Sequence, residues 1–140
     1  MNANDARLTE LITAQSGSTV EDNAPNAPAS ASFDVVVEAV AGSAVGDSGA
    51  PYTLQISVID LTSVSQPWPP VKLAQAFNSG SQWKLSGTGP DYEYAQTFPT
   101  AVPGGAGGPL AGHTLQYVAS LVSEGGQIVS IIQGDPFVLV

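Results

Sequence analysis

The chain has no cysteine, only three lysine or arginine residues and a single histidine. Without cysteine there is no disulfide framework, thiolate metal site or cysteine nucleophile, and the redox compartment stays open. Three cations are too few to neutralise a run of phosphates, so nucleic acid and anionic lipid surfaces are excluded as partners. No segment approaches the ~20 apolar residues of a membrane-spanning helix, so membrane insertion is not expected. Met1 to Asp5 lacks the basic and apolar regions of a secretory signal. The compartment is left open between cytoplasmic and assembled or extracellular settings.

Charge as a whole is scarce, at 11% of residues against about 25% in typical soluble domains. The charge that is present is acidic: twelve Asp and Glu give a formal net charge of −9. Mean hydropathy is only +0.13, so the polarity comes from Ser, Thr, Gln, Asn and Gly. A weakly charged surface of small residues suits dense packing against other subunits, while the excess acid keeps the free chain soluble. A length of 140 residues accommodates one domain with a real core. Low lysine with high alanine and glycine is compatible with a GC-rich bacterial source.

Residues 1–32 differ from the rest. Asp5 to Ala14 is expected to form a short helix with Leu8, Leu11 and Ile12 on one face. Residues 16–32, rich in Ser, Gly, Asn, Ala and Pro, are expected to be a flexible linker. The expected organisation is an N-terminal arm over 1–32 and a β domain over 33–140.

From Phe33 the apolar period becomes two. Phe33, Val35, Val37 and Ala39 alternate along a first strand over 33–40, and Tyr52, Leu54, Ile56 and Val58 along a second. Val71 to Phe77 makes a third. Asn78-Ser79-Gly80 turns the chain before Trp83 and Leu85, and Tyr92, Tyr94, Gln96 and Phe98 mark an aromatic-rich strand. Leu115, Tyr117, Ala119 and Leu121 form another. Ile128 to Ile132 and Phe137 to Val140 are expected to be one long final strand broken at Gly134 and Pro136. Seven or eight strands with turn residues between them, and no helical period after residue 15, predict an all-β fold, an antiparallel two-sheet β-sandwich. A closed barrel or jelly roll is the alternative.

The segment Leu110-Ala-Gly112-His113-Thr114-Leu115-Gln-Tyr117 resembles the tyrosine corner of immunoglobulin-like and fibronectin-type domains. The resemblance covers 33–140 and implies an immunoglobulin-like sandwich in which the Tyr117 hydroxyl bonds back to the backbone. The chain departs from the pattern in having no Cys pair and in placing Trp83 late, and the superfold implies no activity. Gly125-Gly126-Gln127 to Asp135-Pro136-Phe137 also resembles the C-terminal hairpin of bacterial inclusion-body proteins of β-sandwich type, over too short a stretch to imply function.

Gly46-Asp47-Ser48-Gly49-Ala50-Pro51 resembles the nucleophile loop of chymotrypsin-like proteases, but the chain order argues against that chemistry. The base should precede the nucleophile, whereas His113 follows Ser48 by 65 residues. The segment is expected to be an Asp-Ser-Gly turn. His113 is the one side chain that can serve as a general base near neutral pH without a shifted pKa, and its place beside Gly112 suits a backbone-bonded loop residue. No spacing supports zinc. An oxygen-only Ca²⁺ cage would need Asp47, Asp60, Asp91, Glu93 and Asp135 to converge at one end of the sandwich; otherwise they are solvated turn residues, and no other cofactor is expected. Asp91, Glu93 and Glu124 are the carboxylates from which a glycosidase pair could be drawn. The glycine-rich stretch over 103–109 has no Lys and opens no helix, so it is a loop and not a phosphate cradle.

Trp68, Tyr92 and Tyr94 are residue types that stack on sugar rings and anchor interfaces, while Trp83 is expected in the core. Trp68, flanked by prolines in Gln66-Pro67-Trp68-Pro69-Pro70, is either an exposed knob or folded over a sheet edge. The two ends suggest assembly: Leu8, Leu11 and Ile12 on the arm, and Phe137 and Leu139 in an apolar C-terminal segment without a charged gatekeeper. The leading expectation is a non-enzymatic structural or self-assembling module that partners itself or another protein subunit. The alternative is a carbohydrate-binding, lectin-like module using Trp68, Tyr92 and Tyr94, with or without Ca²⁺. A third class, a hydrolase, would rest on Ser48, His113 and Asp91.

Overall fold

A computed structural model describes residues 1–25, 32–101 and 109–139. It contains nine strands and one short helix: β1 (Ala6–Gln15), β2 (Ser32–Ala41), α1 (Ser43–Ser48), β3 (Pro51–Asp60), β4 (Val71–Ala76), β5 (Trp83–Leu85), β6 (Tyr92–Ala101), β7 (Thr114–Ser123), β8 (Val129–Gln133) and β9 (Phe137–Val138). They form two antiparallel sheets. The first has the order β1-β2-β6-β5 and the second β4-β3-β7-β8, with β9 also on β7.

Period-two alternation explains the pairing. Phe33, Val35, Val37, Ala39 and Ala41 of β2 point into the core with Tyr52, Leu54, Ile56 and Val58 of β3 and Leu115, Tyr117, Ala119 and Leu121 of β7. Their neighbours point outward. The broken final strand takes the expected form: β8 pairs with residues 118–122 of β7 and β9 with 114–115, so both segments share one edge of β7.

The N-terminal segment differs from its expected form. Residues 6–15 are a strand paired with β2 along its length, not a helix. A β-bulge lies between Leu8 and Glu10. The extra residue shifts the inward set from Ala6 and Leu8 to Leu11, and a three-residue spacing inside a strand then mimics a helical step. Leu8 and Leu11 lie in the core, and Ile12 is buried beside its cross-strand partner Val36. The expected separate arm is therefore part of the sandwich through residue 25. Asp22 N donates to Thr13 O, Gly17 N donates to the Asp34 carboxylate, and Pro25 is fully buried. The remaining linker positions 26–31, most of the glycine-rich stretch (102–108) and Val140 lie outside the described residues.

The helix α1 was also not legible. Residues 43–48 are too short to show a period, and the segment ends on Gly49 in the left-handed region at φ 61°, which a glycine adopts without strain. Gly46 in the same helix packs against the Tyr92 ring, leaving no room for a Cβ.

The two long sides of the sandwich are closed differently. On one side β1 meets β8, where Leu8 N donates to Ser130 Oγ at 2.9 Å and Gly134 approaches the Leu11 carbonyl. On the other side β5 pairs only with Tyr92, Glu93 and Tyr94 of β6. Ala95 N still donates to Gln82 O; beyond it, among the described residues, β6 is an edge facing the edge strand β4.

Candidate functional site

The aromatic residues divide between two inter-sheet clusters. Tyr52, Phe77, Trp83 and Tyr94 pack together at one end, and Phe33, Trp68, Tyr117 and Phe137 at the other. In the first cluster Trp83 Nε1 donates to the Tyr52 hydroxyl at 3.1 Å, and that hydroxyl donates to Gln75 Oε1 at 2.7 Å. Tyr94 OH bonds to Gln75 and Gln96, and Gln75 Nε2 donates to Gln96 Oε1 at 3.1 Å. These bonds tie β4 to β6 across the open side. Burial pushes the Tyr52 phenol up to about 12 and Tyr94 higher still, so both stay neutral donors.

This arrangement does not bring Trp68, Tyr92 and Tyr94 onto one exposed face. Tyr94 is only 3% exposed. The Tyr92 hydroxyl bonds to Asp47 at 2.5 Å, which raises the phenol's pKa. Trp68 is half-buried against Phe33 and Tyr117, with ring centroids 6.4 Å from each. Of its two expected placements it takes the one over the sheet edge. Leu8, Leu11, Ile12, Phe137 and Leu139, expected as assembly contacts, are all buried in the chain's own interior and offer no outward surface.

The hydrolase constellation is dispersed. The Ser48 hydroxyl donates to Val45 O at 2.6 Å, and Asp91 takes the Met1 ammonium at 3.4 Å. The partner of His113 is Asp60, with Nδ1 2.6 Å from Oδ2. Asp60, at the end of β3, is 1% exposed and also accepts the backbone N–H groups of Thr62 and Ser63. The His113 hydrogen bond, aided by these donors and opposed by burial, lowers the Asp60 carboxyl to about 2. It is ionised at neutral pH, so Nδ1 carries the shared proton. Thr114 N donates to Thr62 Oγ1 and Leu61 N to Thr114 O, so the pair sits in a clasp joining the loops after β3 and before β7. Among the described residues no hydroxyl bonds to the other ring nitrogen.

The acids expected to form a Ca²⁺ cage also go separate ways. Asp47 meets Tyr92, Asp60 meets His113, Asp91 meets the N-terminus and Asp135 meets Glu21. Among the described residues no three metal-ligating side chains gather. Glu10 faces Glu38 across β1 and β2; their shared hydrogen bond, with desolvation and repulsion, raises the Glu10 pKa.

The feature that motif reasoning missed is a contrast between the outer faces. On the first sheet Glu10, Glu38 and Glu93 face outward with Arg7 and Lys84. On the second, the outward positions of β3, β4, β7 and β8 include Thr53, Ser120, Val122, Val129 and Ile131, with Lys72 as the one charge and no acid. Val129 and Ile131 are 58% and 68% exposed. A shallow groove of about 520 Å³ crosses this face over Thr53, Gln55, Ala74, Ser120 and Val122, with Lys72 also in its wall and Glu124, just past the end of β7, bordering it. The signal was present in the sequence as strands without Asp or Glu at alternate positions.

No protein family and no curated protein matches the chain. Among solved structures it is similar to the sporulation control protein Spo0M from Bacillus subtilis, with 12% identity and a TM-score of 0.42. The alignment covers 96% of this chain and 49% of that one, so the chain spans about half the length of that protein. A likeness at this level carries no functional argument.

Proposed function

We propose that this protein is a non-catalytic structural module that associates, with itself or with another protein subunit, through the outer face of the β4-β3-β7-β8 sheet. The observation that carries this reading is that the strands of this face set no Asp or Glu outward, the nearest acid being Glu124 just past the end of β7. The chain bears a net charge of −9, which opposes association in general, yet this sheet presents Val122, Val129 and Ile131 to solvent with no carboxylate among them. A flat β face of small and apolar residues, with Lys72 as the one charge on its strands, is a surface that another protein surface can cover without burying a carboxylate from those strands. The absence of catalysis is part of the same proposal. His113, Ser48 and the loop acids are each engaged by a different structural partner.

The immunoglobulin-like type of sandwich belongs to this proposal as well. The orders β1-β2-β6-β5 and β4-β3-β7-β8 correspond to the A-B-E-D and C′-C-F-G arrangement of such domains, which supports it. The tyrosine corner does not add support, because the Tyr117 hydroxyl has no hydrogen-bond partner among the described residues.

The test is solution mass by light scattering over a range of concentration, on the full chain and on a Val129→Lys/Ile131→Lys variant. The full chain should grow in mass with concentration, more so in added salt as repulsion is screened. The variant should remain monomeric with an unchanged far-UV spectrum. A full chain that stays monomeric at every concentration and salt, and captures no subunit through this face, overturns the reading.

A further inference from the structure

The open side of the sandwich holds a second feature, independent of the outer face. Between β4 and β6 lies a cavity of about 200 Å³ lined by Val35, Ile56, Trp68, Val71, Phe98 and Tyr117, with Pro69, Pro99, Thr100 and Ala101 completing the wall. Val35 and Ile56 are buried, whereas Val71 is 40% exposed, so the cavity runs from the core to the surface. The Gln75–Gln96 bond pins β4 to β6, and Trp68 packs edge-on to Phe33 and tilted against Tyr117. These contacts hold the two sheet edges apart as a preformed slot.

One atom in this slot lacks a well-aligned partner. Tyr117 is 5% exposed, and its hydroxyl completes no well-aligned hydrogen bond among the described residues, although the Thr100 hydroxyl and the Trp68 ring N–H lie close enough to hold its pKa down a little against burial. The neighbouring Thr100 hydroxyl donates instead to Phe98 O at 3.2 Å. A buried hydroxyl without a partner is costly and uncommon in folded proteins. Burial also raises the phenol's pKa well above its ordinary value, so the group stays a neutral donor at any physiological pH.

We propose that the slot between β4 and β6 is a binding site for a small, neutral, largely apolar ring compound bearing one hydrogen-bond acceptor, with Tyr117 Oη donating to that acceptor. Four features of the slot define the ligand. An apolar cavity of roughly 150 Å³ accepts a benzene-sized molecule, so the volume here suits one substituted ring. The walls are aliphatic, aromatic and prolyl, which matches an apolar body. No charged side chain lines the slot, and the protein is strongly acidic, which disfavours an anion and leaves a cation without a counter-charge. The Tyr117 hydroxyl, without a well-aligned partner among the described residues, selects for an acceptor over a plain hydrocarbon, because a bound acceptor gives that donor a good hydrogen bond.

The test uses cyclohexanone as the probe and methylcyclohexane as its counterpart without an acceptor, titrated into the full chain and followed through the methyl resonances of Val35, Ile56 and Val71. Cyclohexanone should shift these methyls saturably while leaving those of Val129 and Ile131 unmoved. The isosteric Tyr117→Phe variant, which keeps the ring and the fold, should weaken cyclohexanone about five- to tenfold, the scale of one hydrogen bond, and leave methylcyclohexane unchanged. A Val71→Trp variant, placed at the exposed end, should block both probes. The proposal is overturned if cyclohexanone leaves the three methyls unmoved, if Tyr117→Phe binds it as well as the parent, or if only a peptide or protein surface perturbs the slot.

Discussion

The two sheets share a core, yet their outer faces obey different rules. The β1-β2-β6-β5 sheet carries most of the outward charge, including a carboxylate pair, Glu10 and Glu38, set directly across two strands. The β4-β3-β7-β8 sheet turns its one acid, Asp60, inward to His113 and faces outward with Ser, Thr, Gln, Val and Ile. Both inner faces follow the same alternation of apolar residues, so folding does not explain the difference. An acidic face keeps the chain dispersed, and one whose strands set no acid outward leaves a place where contact meets less repulsion. The contrast locates the proposed interaction surface more sharply than any single residue does.

The strongest way to break this comparison is to remove a strand from the acidic sheet. A chain beginning at Ser16 loses Leu8, Leu11 and Ile12, all buried. Burial of such side chains is worth about 1.5–3 kcal/mol each, a sum comparable with the total stability of an ordinary domain, about 5–15 kcal/mol. The expected outcome is loss of the cooperative thermal transition in circular dichroism. Retention of a full transition would show β1 to be dispensable.

A smaller effect tests the inward acid of the neutral sheet. The folded-state pKa of Asp60 is lowered from 3.8 to about 2. The stability this contributes is present above the unfolded value and is lost as pH falls from about 4 toward 2. Asp60→Asn should lower the denaturation midpoint at neutral pH and narrow the gap to the parent protein across that acid range. An unchanged gap from pH 7 to 2 would remove the ionised clasp from the account.

The smallest effect sharpens the contrast from the acidic side. Glu10 has a raised pKa opposite Glu38, so the folded state binds more protons, and stability falls as pH rises from the unfolded carboxylate value through the folded one. Glu38→Gln should therefore stabilise the protein at neutral pH by about 0.2–1 kcal/mol, the range of a cross-strand pair, with little gain at pH 3. Urea titrations at the two pH values read the difference; equal gains at both would mean the pair does not repel.

How much was legible in the sequence varied with the local rule. The strands at 33–40, 52–59 and 115–121 were readable because every second residue is apolar and their ends carry turn residues. The broken end of the chain was readable because Gly134 and Pro136 interrupt a β run. Residues 6–15 were misread for a physical reason: a bulge changes the inward set from even to odd positions, and the resulting spacing imitates a helix. At the candidate sites, Trp68 was recognised as placed over an edge or exposed, but Tyr94 and Phe137 are chemically the same residues whether they face a ligand or a core. Their burial depends on which strand lies opposite.

By itself the sequence determined the all-β class, the acid excess, the absence of thiol chemistry and the positions that alternate in and out. These follow from residue type and from the two-residue period of an extended chain, which are local properties. Only the tertiary structure decided that β1 completes a sheet, that Asp60 meets His113 across 53 residues of chain, that the strands of one outer face set no acid outward, and that Tyr117 borders a slot with its hydroxyl short of a well-aligned partner. Those are facts about which distant segments become neighbours, set by the joint burial of two sheets and not by any stretch of sequence alone.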